Sequence, residues 1–257
     1  PYWETIVDRV MCGRPALVNA LQESLGYLLL RDTQLEKMIG LVGDGEKGKS
    51  TVMWVVKQLV GKKGYSAVPI QKLVKSGAEG DYGRARLAGK LINFTNELSP
   101  KELVADTFKD LISGEDLSAR EPYGKVYELS RAPKQICAMN TTDRIVKERS
   151  KGFMRRLHLI PFDYTLQTED KDPQIFDKLD AELSGILNWC IEGAMRVVKN
   201  NKLSKPKEMR DILDEVERDG NPELRFIEGW LDVPAHFDRK NTHTERGDKL
   251  YEAFQQF

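Results

Sequence analysis

The sequence predicts an α/β fold, a central, mostly parallel sheet flanked by helices, and three observations carry it. Short, largely apolar runs of strand length recur at 38–42, 91–95 and 135–139, each ending in polar residues. Between them lie longer stretches whose apolar residues are spaced three and four apart, the period of an amphipathic helix. The first run feeds the octapeptide Gly43-Asp44-Gly45-Glu46-Lys47-Gly48-Lys49-Ser50, which fits the pattern G-x-x-x-x-G-K-[ST] in its expected strand-to-helix context.

Taken in order, residues 1–37 read as helical. Pro15 suits a first helical position, and Leu17, Leu21, Leu25 and Leu28 follow along one face. Met38-Ile39-Gly40-Leu41-Val42 is a buried strand, and a helix through Val52, Val55, Val56, Leu59 and Val60 follows the loop, stopped by Gly61. Leu91-Ile92-Asn93-Phe94-Thr95 is a second strand. A helix then opens at Ser99 and Pro100, with Glu102 closing a capping box and Gly114 as its stop. Leu103, Val104, Phe108, Leu111 and Ile112 form its apolar stripe. Residues 113–129 read as a hairpin whose tip is Glu121-Pro122-Tyr123-Gly124-Lys125. Gln135 to Met139 is a third strand, ending in Asn140-Thr141-Thr142, and Leu157 to Phe162 a fourth. Asp172 and Pro173 start a helix with Leu179, Leu183, Ile186, Leu187, Cys190, Ala194 and Val197 on its apolar face. A charged linker over 199–207 leads to a helix through Met209, Ile212, Leu213 and Val216, and Trp230 and the 251–257 stretch lie in further short helices.

The octapeptide carries the chemistry. Glycines let successive backbone N–H groups point at phosphate oxygens, and the loop ends at a helix N-terminus whose dipole favours an anion. Gly43 to Ser50, with Thr51 behind them, therefore bind a nucleoside triphosphate, Lys49 reaching its terminal phosphates and Ser50 ligating magnesium. Such a pattern arises by chance in roughly one chain of this length in a hundred. Glu97, at a strand end, is the candidate for polarising an attacking water, because hydrolysis needs a carboxylate beside the terminal phosphate. Asn96 precedes it where many ATPases hold magnesium with an acid. Asn140 can hydrogen-bond the terminal phosphate or the water. Arg155 and Arg156 suit phosphate recognition, being always charged planar forks. Tyr123 and Lys125 can stack on a base and hold a phosphate, or can equally belong to a solvated turn. His158 alternates with strand residues and reads as structural.

Composition limits the rest. Forty basic and forty acidic residues cancel, so any nucleic-acid contact must come from a local patch. No apolar stretch approaches a membrane span and the chain opens without a signal segment, which gives the expectation of a cytoplasmic protein without membrane contact. Cys12, Cys137 and Cys190 lack metal-ligand spacing and read as reduced core residues.

The order of these motifs resembles the superfamily 3 helicases: the phosphate loop, a strand ending in Asn96-Glu97, the Lys109 to Arg120 segment, a hairpin, a strand ending in Asn140, then Gly152-Phe153-Met154-Arg155-Arg156-Leu157 before Ile160-Pro161-Phe162. More narrowly it resembles the helicase part of phage, plasmid and poxvirus primase-helicases, with Leu179 to Trp189 similar to that group's helix after the core. The likeness runs from Gly26-Tyr27 to about Phe226. It implies an AAA+ ATPase that binds ATP and Mg2+, assembles into a homo-oligomeric ring, usually a hexamer, and moves 3′ to 5′ along single-stranded DNA. On this resemblance Lys49 and Ser50 hold phosphate and magnesium, Asn96 stands at the metal and Glu97 is the catalytic carboxylate. Asn140 is the phosphate sensor, Arg156 the arginine finger with Arg155 its rival, and Tyr123 and Lys125 lie on the pore hairpin that grips DNA. Asn96 replaces an acid found in several relatives, and Gly124 a histidine found in some. The expected organisation is a helical segment at 1–37, the core at 38–165, a helical lid or collar at 166–207, and a tail at 208–257 that starts a winged-helix module. A primase or polymerase part is expected upstream.

Two other classes use the same loop. A kinase would need an arginine-rich substrate lid, and no such cluster is evident. A nucleotide-binding replication scaffold without unwinding remains open, since Asn96 weakens the case for turnover.

Overall fold

The structure, a computed structural model, describes residues 1–95, 105–140, 150–167 and 170–219. Asn96, Glu97, the capping box at Ser99 and Glu102, Leu103, Val104, Thr141, Thr142, Trp230 and the 251–257 stretch lie outside the described residues, so the expectations placed on them stay as expectations.

Five described strands form one parallel sheet: β1 (Met38–Val42), β2 (Tyr65–Ser66), β3 (Ile92–Thr95), β6 (Lys134–Met139) and β7 (Leu157–Pro161), in the order β2-β3-β6-β1-β7. The register sets Ile39 beside Ile136 and His158, and Val42 beside Met139 and Pro161. Because successive side chains alternate, this register sorts the core into two faces. Ile39, Leu41, Ile92, Phe94, Ile136 and Ile160 face one layer, while Met38, Val42, Cys137, Met139, Leu157 and Leu159 face the other.

The first face is covered by α1 (Tyr2–Val10), α2 (Pro15–Leu29), α3 (Lys49–Gly64), α8 (Ile175–Ala181) and α9 (Leu183–Asn200). The second is covered by α4 (Ile70–Leu73), α6 (Ala105–Ser113), α7 (Lys151–Met154) and α10 (Lys207–Asp219). Separately, α5 (Gly77–Ala85) packs on the antiparallel hairpin of β4 (Leu117–Arg120) and β5 (Val126–Leu129). This is the expected α/β architecture of a mostly parallel sheet flanked by helices.

Tertiary packing joins the two ends of the described chain. Helices α2 and α9 cross so closely that a Cβ at Gly26 would lie 2.3 Å from the Ala194 nitrogen, and one at Gly193 would lie 2.1 Å from the Gln22 carbonyl oxygen. Gln22 also donates to the Trp189 carbonyl at 2.8 Å, and the Glu23 carboxylate accepts from the Ser204 N–H at 2.8 Å. The expected 1–37 and 166–207 segments are thus one helical layer.

Several expectations need correction. The helical segment ends at Leu29 rather than running towards residue 37. The helix expected from Asp172 is broken at Glu182, whose carboxylate accepts from the N–H groups of Tyr2 at 2.8 Å and Trp3 at 2.9 Å and so caps α1. Leu187 is exposed, on the outer side of α9, and Cys12 is exposed, whereas Cys137 and Cys190 are buried as expected. Gly61 interrupts its helix with φ of 68°, and the helix resumes to Gly64. No described helix is long and apolar enough to cross a membrane.

Candidate functional site

The phosphate loop springs from the carboxyl end of β1, between β6 and β7. The Gly43 N–H donates to the Met139 carbonyl at 3.0 Å, and the Phe162 N–H donates to the Val42 carbonyl at 2.7 Å. A Cβ at Gly43 would meet the Phe162 carbonyl oxygen at 2.4 Å, so that position excludes any side chain. At the other end Gly48 takes φ of 85°, left-handed backbone that its lack of a Cβ permits, and its carbonyl accepts the first bond of α3 from Val52 at 3.1 Å. Lys49, Ser50 and Thr51 are consequently the first turn of α3, where backbone N–H groups remain unpaired within the helix.

Lys49 is 8% exposed, and its ammonium donates to the Gly43 carbonyl and, at 3.5 Å, to the Gly45 carbonyl. Burial pushes its pKa down from the ordinary value, against the pull of Asp44. A buried ammonium whose hydrogen bonds go to neutral carbonyls gains strongly when an anion arrives, because charge-assisted bonds are the stronger ones. Ser50 is exposed beside it, and Asn140, half-buried, directly follows the residue level with Val42. Gly43 to Thr51 and Asn140 therefore lie together at the carboxyl end of the sheet.

Sequence spacing gave no sign of how the loop is held. The Lys47 ammonium donates to the Asp163 carbonyl at 2.9 Å and reaches the Thr165 hydroxyl at 3.5 Å. The Leu166 N–H donates to the Glu46 carbonyl at 3.3 Å, and Glu46 pairs with Lys171 at 2.7 Å. The chain leaving β7 thus straps the outer side of the loop, through contacts between residues more than a hundred positions apart.

Arg155 and Arg156 sit at the opposite edge. The Met38 N–H donates to the Arg156 carbonyl at 2.9 Å, so the pair lies at the amino end of β1 and β7. The length of β1, about 17 Å at the usual rise, separates them from their own loop, beyond the reach of an arginine side chain. Arg156 is 7% exposed and turned inward, donating to the Ser113 hydroxyl at 2.6 Å and the Gly152 carbonyl at 2.6 Å and pairing with Glu36 at 3.0 Å. The Arg155 side chain is 60% exposed, with Glu36 at 2.7 Å as its ion-pair partner. Of the two, Arg155 is the one free to reach outward. Lys37 beside it donates to the Arg155 carbonyl, and burial, reinforced by Lys205 and Arg155, pushes its pKa down to about 8.

The hairpin stands at this same edge, since α6 returns from β3 to place Ser113 against Arg156 and Thr33. Its tip is shaped: Tyr123 takes φ of 63° and is fully exposed, the Gly124 N–H donates to the Glu121 carbonyl at 2.9 Å, and Arg120 donates to the Gly124 carbonyl at 2.9 Å. Lys125 is exposed beside it. The root is anchored by a residue that sequence reading missed. Arg84, 5% exposed, donates to the carbonyls of Ser118, Leu73 and Lys75 and to Asp81 at 2.6 Å. Ser118 donates to Asp81 as well, and these bonds hold that carboxyl below its usual range. Arg84 lies in a glycine-rich stretch with Arg86 two residues on, and nothing in that pattern tells the buried arginine from its neighbour.

His158 is buried in β7, and burial together with Lys205 and Lys37 pushes its pKa down to about 3, the structural role expected of it.

The comparisons with known proteins fall on this frame. Residues 41–156, from inside β1 to Arg156, match the model of a family of unknown function, DUF5906. Among solved structures, the apo C-terminal region of NrS-1 aligns with a TM-score of 0.63 at 14% identity, covering 98% of this chain and 61% of that one. The chain shares the fold of that region. A second apo structure of it gives a TM-score of 0.65 at 16% identity, over 89% of this chain and 56% of the other. This chain therefore spans little more than half the length of the structures it matches. A JCV helicase structure aligns at a TM-score of 0.42 and 12% identity, below the range of a shared fold.

Proposed function

We propose that the chain is an ATP-dependent DNA helicase or translocase of the superfamily 3 type, working as a ring of identical subunits in replication of a phage or mobile element. One observation carries the reading: the phosphate loop and the arginine pair occupy opposite ends of one sheet, so Arg155 or Arg156, if it stabilises charge on ATP, serves a neighbouring copy. Head-to-tail packing closes such ends into a ring. The hairpin stands at the arginine edge, away from the subunit's own loop.

In this reading Gly43 to Thr51 cradle the phosphates of ATP, with Lys49 on the terminal pair. Ser50 would hold Mg2+, aided by Asn96 and Glu97. An exposed hydroxyl in the first turn of α3 fits an ion that keeps most of its ligands as water and substrate phosphate, and among the described residues no carboxylate or imidazole cluster competes for it. Bound there, the ion neutralises charge that develops on the transferred phosphoryl group. Glu97 orients the attacking water, Asn140 senses the terminal phosphate, and Arg155 reaches the adjacent subunit's site in preference to Arg156. Tyr123 and Lys125 grip single-stranded DNA. In the full-length protein an upstream primase or polymerase part would supply the primers or the synthesis that such a motor serves.

ATP hydrolysis measured with and without single-stranded DNA tests this. The intact chain should hydrolyse ATP faster with DNA, and Lys49→Ala should abolish turnover by removing the ammonium from the cradle. Undiminished hydrolysis in Lys49→Ala overturns the ATPase reading; nucleotide binding without turnover in the intact chain points to the scaffold instead.

A further inference from the structure

The amino edge of the sheet holds a cavity of about 380 Å3 that no part of the proposed machinery uses. Its wall brings together Arg31, Lys90, Arg131 and Lys134 over the backbone of Gly64 and Gly89. Four of its eleven lining residues are cationic and none is acidic, in a chain whose charges sum to zero. The cations come from four places: the turn after α2, the turn before β3, the bend after β5 and the first residue of β6. Sheet order β2-β3-β6 sets these side by side.

Two of the cations are fixed. Lys134 is 5% exposed, donates to the Leu30 carbonyl and lies 4.5 Å from the centre of the Tyr27 ring. Lys90 donates to the Lys63 carbonyl at 3.0 Å. A carbonyl orients an ammonium without cancelling its charge, and Asp32 is the acid that acts on Lys134. The other two are free: Arg31 and Arg131 are exposed, and among the described residues neither makes an ion pair or side-chain hydrogen bond. Arg131 also holds φ of 59°, a left-handed conformation that side-chain-bearing residues rarely adopt.

The lining also says what kind of anion fits. It has no aromatic ring to stack a base and no carboxylate or amide side chain to read a base edge; its polar side chains are the four cations and the Thr33 hydroxyl, which donates to the Ser113 carbonyl. That composition suits phosphodiester groups whatever their sequence, and the volume lies at the small end of ligand pockets, roughly 300–1,000 Å3. Arg131 is joined to Lys125 by β5, at most about 21 Å of extended chain, so a strand crossing the hairpin tip has a path to the cavity.

We propose that this cavity at the hairpin root is a second contact for single-stranded nucleic acid, binding backbone phosphates between Arg31, Lys90, Arg131 and Lys134. It rests on the DNA-translocase reading and adds a site to it. Its role is to hold the strand behind the hairpin, so that grip does not depend on the tip alone.

The test is the double charge reversal Arg31→Glu with Arg131→Glu, titrated with a fluorescent single-stranded oligonucleotide at several salt concentrations. Both side chains are exposed, so the melting temperature should stay within a few degrees and report intact folding. Affinity at low salt should fall about tenfold or more, and the slope of log affinity against log salt should shrink by about 1.4, roughly 0.7 for each phosphate released. The paired Arg→Lys variants should keep the slope. An unmodified chain that binds the oligonucleotide and a reversed variant that binds it identically overturn the inference while leaving the translocase reading in place. No oligonucleotide binding by the unmodified chain overturns both. Displacement of the oligonucleotide by inorganic phosphate at matched phosphate concentration and ionic strength assigns the cavity to free phosphate and overturns the nucleic-acid occupant.

Discussion

Replacing Arg155 and Arg156 one at a time separates a catalytic arginine from a structural one, and the structure fixes what each should cost. Arg155 makes an exposed ion pair with Glu36, worth up to about 1 kcal/mol. Arg155→Ala should therefore lower the melting temperature by no more than about 4 °C. If it reaches the neighbour's terminal phosphate, hydrolysis should fall by a factor on the order of a thousand, about 4 kcal/mol of transition-state stabilisation, with ATP binding kept. Arg156 is different in kind. Its loss removes the donors to Ser113 and Gly152 and a pair to Glu36 at 3.0 Å, in a side chain only 9% exposed. Breaking a buried pair costs about 3–5 kcal/mol, and Glu36, a third exposed and still paired with Arg155, reduces that to roughly 2–4 kcal/mol. The melting temperature of Arg156→Ala should drop by roughly 5–15 °C. Steady-state ATPase assays and thermal melts on both variants read these outcomes. Mixing Arg155→Ala with Lys49→Ala one to one should restore up to about a quarter of wild-type turnover, since a randomly mixed ring pairs intact loop with intact arginine at that fraction of its head-to-tail interfaces. A fully active Arg155→Ala, or a mixture without rescue although rings form, refutes the argument.

Three further perturbations follow from particular contacts. Gly193→Ala forces a methyl onto the Gln22 backbone, which would lie 2.1 Å away, so α2 and α9 must part at a cost of about 1–3 kcal/mol or more; a thermal melt should show the loss, and an unchanged melt means the crossing is looser than described. His158 stays neutral in the fold down to about pH 3, whereas the unfolded chain takes up a proton below its ordinary 6.5. Between those values each unit of falling pH therefore costs about 1.4 kcal/mol of stability, and His158→Leu should flatten the fall of melting temperature from pH 6.5 towards 4; equal slopes would show that the imidazole is not what titrates. Lys125→Ala should weaken single-stranded DNA binding and lower its salt slope by about 0.7, one phosphate contact; an unaltered slope returns Lys125 to a solvated turn.

The amino-acid sequence by itself determined most of the elements, though not β2, α4 or α5, and the strand-to-helix setting of the phosphate loop. The apolar runs at 38–42 and 135–139, the leucine spacing after Pro15 and the Gly43 to Ser50 pattern all rest on interactions within a few residues, where periodicity and backbone sterics act. Asn140 at a strand end and the hairpin between Leu117 and Leu129 were legible for the same reason. Which arginine faces outward was not, because Arg155 and Arg156 are adjacent, both pair with Glu36, and the Ser113 hydroxyl and Gly152 carbonyl that draw Arg156 inward are set by the fold. The strap of Asp163, Thr165 and Lys171 over the loop, the Arg84 anchor under the hairpin and the joining of α2 to α9 were equally invisible. The four cations of the amino-edge cavity, scattered from Arg31 to Lys134, cancel in the net charge and become a site only through strand order. Local chain chemistry sets what each segment becomes, whereas contacts between distant segments depend on how the sheet is ordered and its faces are covered, and only the tertiary structure decides that.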